Sequence, residues 1–153
     1  MSRRASGFSL IEVLLSVAII AMLAGLSAPI YGSFQTRNDL DIAAQGVANA
    51  LRRAQTYARG VSGDSQWGVE IQSTGATLFK GSVFASRPTA LDELTSIPAT
   101  ITPSGTTEII YTKLEGLPTV SGSAVTTPVS ITLTSSANEI RTLTINAKGM
   151  VAY

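Results

Sequence analysis

The sequence predicts an α+β fold, with a long N-terminal helix packed on a C-terminal antiparallel β-sheet domain. Three observations predict it. Residues 13–30, VLLSVAIIAMLAGLSAPI, carry no charge. Residues 34–59 lack proline and repeat apolar side chains every three or four positions. From Trp67 onward, short runs of β-branched and aromatic residues alternate with polar turns.

Composition narrows the function before any element is placed. Only 14% of the 153 residues are charged and mean hydropathy is +0.28, against about 25% charged in an average soluble domain. Histidine and cysteine are absent. The chain therefore has no His or Cys metal ligand, no Ser-His-Asp or Cys-His machinery, no disulfide and no iron–sulfur cluster. A net charge of +1 argues against a polybasic nucleic-acid binder. The expectation is a protein without enzymatic activity and without a cofactor or metal.

Counting Leu10 and Ile11, the apolar run is roughly 21 residues, or about 31 Å as a helix, enough to cross a bilayer's hydrocarbon core. Arg3 and Arg4 precede it, and Arg37, Asp39 and Asp41 are the first charges after it. The positive-inside rule then keeps the N-terminus cytoplasmic and exports the chain beyond Tyr31. A secretory signal peptide is the plain alternative. Its apolar region is shorter, about 7–15 residues, and the best small-residue site here, Leu26-Ser27-Ala28, is followed by Pro29. Glu12 is the more telling residue, because a carboxylate inside an apolar run costs about 2.5–3.5 kcal/mol at a bilayer centre. Interfacial snorkelling is the bland account of it.

Arg3-Arg4-Ala5-Ser6-Gly7-Phe8-Ser9-Leu10-Ile11-Glu12 resembles the class III leader of type IV pilins and type II secretion pseudopilins. The resemblance implies a cleaved leader over residues 1–7, cut by prepilin peptidase between Gly7 and Phe8, with N-methylation of Phe8. It makes Glu12 the family glutamate, paired in assembly with the amine of a neighbouring subunit, and Pro29 the position where the family often kinks its helix. Its implied partners are other pilin or pseudopilin subunits, the peptidase and an inner-membrane assembly platform. Cleavage would remove Arg3 and Arg4, leaving nine basic against ten acidic side chains. At Pro29 two readings stand: the helix ends there, or it continues through a kink.

Residues 8–33 are thus the membrane and filament-core half of the helix, and 34–60 the amphipathic half. In the latter, Leu40, Ala43, Ala44, Val47, Ala50, Leu51, Ala54, Tyr57 and Ala58 make one apolar face. Gly60 and Gly63 stop it. Arg52, Arg53 and Arg59 read as a solvated helix end, with contact to a partner as the alternative. If Phe8 to Arg59 were one helix it would be about 78 Å long.

Residues 61–153 form the β-rich domain. Strands are expected at 67–71, 76–80, 108–112, 129–134 and 140–145, with one more short strand at the C-terminus. Ser135-Ser136-Ala137-Asn138 turns the 129–134 and 140–145 strands into a hairpin that faces Ile131, Leu133, Leu143 and Ile145 to the core. Residues 85–128 hold five of the six prolines and read as a loop-rich region suited to partner contacts. Gly75 to Ser82 is a strand and turn rather than a phosphate loop, Trp67 a core aromatic, and Asp92-Glu93 an isolated acidic pair. The strings Leu51 to Arg59, Trp67-Gly68-Val69 and Leu143 to Gly149 resemble the GspH/FimT group of minor pseudopilins and pilins. Some FimT-type members bind DNA through C-terminal basic residues; here Arg141 and Lys148 are the candidates for such a ligand contact. The function implied is a structural minor pilin or pseudopilin subunit. The alternative is a filament-borne module that binds DNA or a secreted substrate.

Overall fold

The computed structural model describes residues 8–153, and of residues 26–31 and 33 only the backbone. The expected leader, residues 1–7, lies outside the described residues. Helix α1 runs Leu10–Arg59, so Pro29 lies inside it and the helix continues beyond that residue. The described residues fall into two compact units, divided between Gln35 and Thr36.

In the second unit, the α1 face predicted by spacing is the buried one. Leu40, Val47, Leu51, Ala54 and Ala58 are fully covered, with Ala43, Ala44 and Ala48 beside them. Most of this face is alanine, which lets the sheets approach the helix closely. At Gly46 an added Cβ would stand 2.8 Å from the Thr95 methyl group. The helix stops at Arg59, with the Gly60 N–H on the Thr56 carbonyl at 2.9 Å. The left-handed residues that turn the chain are Val61, Gly63 and Asp64, so of the two expected stop glycines Gly63 takes a positive φ and Gly60 does not.

Among the described residues ten strands follow the helix: β1 (Trp67–Gln72), β2 (Gly75–Lys80), β3 (Glu93–Ser96), β4 (Ile101–Gly105), β5 (Glu108–Tyr111), β6 (Pro118–Val120), β7 (Ser123–Ala124), β8 (Val129–Ser135), β9 (Ile140–Ile145) and β10 (Val151–Ala152). They build two antiparallel sheets, ordered β3-β2-β1-β5-β6-β7 and β10-β9-β8-β4. Val69 sits between Leu78 and Ile109 in the first, and Ile131 pairs with Leu143 in the second. Ile131, Leu133, Leu143 and Ile145 are all fully buried, as the hairpin requires, and they share one core with α1 and the first sheet.

Residues 85–128 hold more strand than their prolines suggest: beside the expected β5 they contain β3, β4, β6 and β7. Proline is admitted because β4 is an edge strand, where Pro103 forfeits no ladder bond, and because Pro118 opens β6. The five strands carry few buried apolar side chains outside β5, with Ile101 alone fully buried in β4. Alternation therefore gives little signal there.

Trp67 is a core aromatic. It is 6% exposed, donates from Nε1 to the Ser62 carbonyl at 2.8 Å, and meets Tyr57 edge to face at 4.8 Å. Tyr111 is fully buried too, and its hydroxyl has no hydrogen-bond partner among the described residues. Burial pushes that hydroxyl well above the ordinary tyrosine range. The unfolded chain therefore loses this proton near pH 10 while the folded chain retains it. The contribution is complete below about pH 10, and stability falls above it by up to about 1.4 kcal/mol per pH unit. Tyr111→Phe should remove that alkaline slope and, by deleting an unsatisfied polar group, leave neutral-pH stability unchanged or raised by about 1 kcal/mol. Urea unfolding at pH 7 and pH 11 checks both.

Candidate functional site: the N-terminal segment and the basic face of the helix

The N-terminal candidates occupy the first turn of α1 and the two residues before it. Phe8 and Ser9 precede the helix, and Phe8 is 80% exposed. Ser9 stands at the N-cap. Its Oγ accepts the Glu12 N–H at 3.3 Å, and its carbonyl accepts those of Glu12 and Val13 at 3.1 and 3.3 Å. Glu12 is exposed in the first turn, where a carboxylate also suits the helix dipole. Its carbonyl accepts the Ser16 hydroxyl at 2.8 Å. Ser9 and Glu12 thus hold the two positions of a capping box, S-x-x-E. That spacing is visible in the sequence, but the leader motif draws attention to Glu12 alone. Gly7 lies outside the described residues, as does the Pro29 side chain.

From Leu10 to Leu23 the large apolar side chains are at least half exposed on every face of the helix, from Val13 at 50% to Leu10 at 80%. A helix apolar all round needs a nonaqueous cover, lipid or other helices. Ten such side chains would gain roughly 15–30 kcal/mol on burial. Among the described residues no helix is long and apolar enough to cross a membrane; the expected span extends into residues whose side chains are not described.

Residues 2–28 match the prokaryotic N-terminal methylation motif. The chain carries a type IV pilin-like prepilin signal. No curated protein and no solved structure matches the chain. The matched segment includes the bond between Gly7 and Phe8, the exposed Phe8, the capping pair and the apolar helix up to Ala28.

At the other end, Arg141 and Lys148 are not brought together. Arg141 Nε donates to Asp41 Oδ1 at 2.7 Å, whereas the Lys148 carbonyl accepts from Gln55 Nε2 at 2.8 Å. Asp41 and Gln55 are fourteen residues apart on α1, about 21 Å along its axis. Arg141 is neutralised by its ion pair. The Lys148 backbone instead meets α1 at Gln55, between two helix arginines read from the sequence as a solvated helix end. Arg52 donates to the Val151 carbonyl at 3.3 Å, with Tyr153 beneath it, and Arg59 to the Glu115 carbonyl at 3.2 Å. Gln55, between them on the same face, also donates to the Gly116 carbonyl at 2.9 Å. Arg52, Arg59 and Lys148 are exposed and form no ion pair among the described residues. The spacing 52, 55, 59 is the signal in the sequence that could have found this face.

Arg53 differs from these two. It pairs with Glu93 and donates to the Tyr57 hydroxyl at 3.1 Å, which ties α1 to β3. Asp92 pairs with Arg87 at 2.8 Å. The Asp92-Glu93 carboxylates are thus each matched by an arginine. Among the described residues no cluster of three or more acids could hold a metal ion.

Proposed function

We propose that this chain is the precursor of a structural filament subunit, a minor pilin or pseudopilin of the GspH/FimT kind. Prepilin peptidase cuts it between Gly7 and Phe8, and the Phe8 amine is methylated. The chain is held in the inner membrane by the first half of α1, with its N-terminus cytoplasmic and the β-domain exported. It enters a type II secretion pseudopilus or type IV pilus through the assembly platform. One observation carries this reading: the methylation motif coincides with a helical segment, Leu10 to Leu23, whose apolar surface is exposed on all sides and interrupted by one carboxylate, Glu12. Other subunits are the natural cover for such a helix once it leaves lipid. The role is architectural, with no catalytic step.

Arg52, Arg59 and Lys148 favour a second reading, in which the exported domain also binds a polyanion such as DNA. Three cations without carboxylate partners would release about three counterions, a slope near −2.7 in log affinity against log salt on duplex DNA. The structural reading expects residues 36–153 to leave DNA unshifted in electrophoresis at physiological salt. A salt-sensitive shift abolished by R52A/R59A/K148A would establish the binding module instead.

A further inference from the structure

We propose that Ser9 is a positioning residue for leader cleavage: as N-cap it fixes the helix start at Leu10 and keeps the Phe8 side of the scissile bond outside the helix. This rests on the prepilin reading above and adds a residue to it. The geometry is direct. Phe8 and Ser9 are non-helical, α1 begins at Leu10, and Ser9 takes the Glu12 N–H on both its Oγ and its carbonyl.

The cap has more to do here than in an ordinary surface helix. The first N–H groups of any helix lack intrahelical partners. In this chain they sit at the mouth of an apolar run, where an unmet N–H is more costly than in water. Without the Ser9 hydroxyl, the next upstream cap is Ser6. A helix starting from Ser6 would place Gly7 and Phe8 at N1 and N2, and draw the bond between them into the first turn. Hydrolysis adds water across that bond: the hydroxyl goes to the Gly7 carbonyl carbon, the C–N bond breaks, and the Phe8 nitrogen takes the proton. An extended chain exposes this carbonyl to attack, whereas a helical turn hides it.

The test is the rate at which full-length precursor in membranes is cut by co-produced prepilin peptidase, normalised to inserted precursor. Loss of an N-cap hydroxyl should slow cleavage of Ser9→Ala and Ser9→Val by about five-fold, the equivalent of about 1 kcal/mol. Ser9→Thr should be cut near the wild-type rate. Ser9→Asn should be too, because asparagine caps well without a hydroxyl. In detergent micelles the Glu12 amide of Ser9→Ala should exchange about five-fold faster. Wild-type cleavage of Ser9→Ala would overturn the proposal. Slow cleavage of Ser9→Asn would do so as well, since the peptidase would then be reading the hydroxyl itself. If the wild-type chain is not cut after Gly7, the prepilin reading falls and the role of Ser9 falls with it.

Discussion

Glu12→Val should abolish incorporation into filaments while leaving membrane insertion intact. Insertion depends on the apolar run, which valine lengthens. Assembly, on the reading proposed, depends on the Glu12 carboxylate meeting the amine of a neighbouring Phe8 in a low-dielectric helix bundle. Removing one member of a buried pair costs about 3–5 kcal/mol, because the other charge is left uncompensated. That corresponds to a loss of incorporation of about a hundred-fold or more. Glu12→Gln separates the two uses of this side chain. Glutamine serves as well as glutamate at the fourth position of a capping box, so the helix start survives while the charge is lost. It should therefore fail in assembly nearly as badly as valine. Immunodetection of the subunit in the sheared filament fraction, against its level in membranes, reads the difference. If Glu12→Gln assembles normally, the contribution of Glu12 is to the helix end and not to a neighbouring chain.

The second large effect is expected at Gly149. This residue has φ +79°, and an added Cβ would meet the Gln55 side-chain amide and stand 2.9 Å from the Tyr111 ring edge. Gln55 has no room to give way, because its amide holds the carbonyls of both Gly116 and Lys148. Gly149→Ala should destabilise residues 36–153 by about 2–4 kcal/mol, the left-handed strain and the overpacking together. The melting temperature should drop by on the order of 10 °C. Gly122→Ala is the control. Its φ is +78° with nothing within 4 Å of the added Cβ, so it should cost only about 1 kcal/mol. Equal losses at the two glycines would mean that the clasp around Gln55 contributes nothing beyond backbone strain.

These two predictions rest on parts of the chain that differ in how openly the sequence declares them. The buried face of α1 is legible because its residues repeat at the helical period, from Leu40 to Ala58. The β8–β9 hairpin is legible because Ile131, Leu133, Leu143 and Ile145 alternate on either side of a turn. Strands β3, β4, β6 and β7 are hidden. They are short and mostly polar, β4 and β6 each carry a proline, and they exist because a neighbouring strand offers them a ladder. The division into two sheets is hidden for the same reason, since it depends on β4 pairing with β8 across the chain. At the N-terminus the motif is plain, yet the capping role of Ser9 emerges only from its bonds to the Glu12 N–H. At the other end, Arg141 is a fair candidate by position. Its partner Asp41 lies a hundred residues away in sequence, and no local pattern announces such a pair.

The most direct measurement is the intact mass of the full-length protein recovered from membranes of cells that make prepilin peptidase. Loss of residues 1–7 and gain of one methyl group on the Phe8 nitrogen is the expected result, with both changes absent when the peptidase is deleted. A protein that keeps residues 1–7, or one cut after Ala28 in the manner of a secreted precursor, would contradict the account.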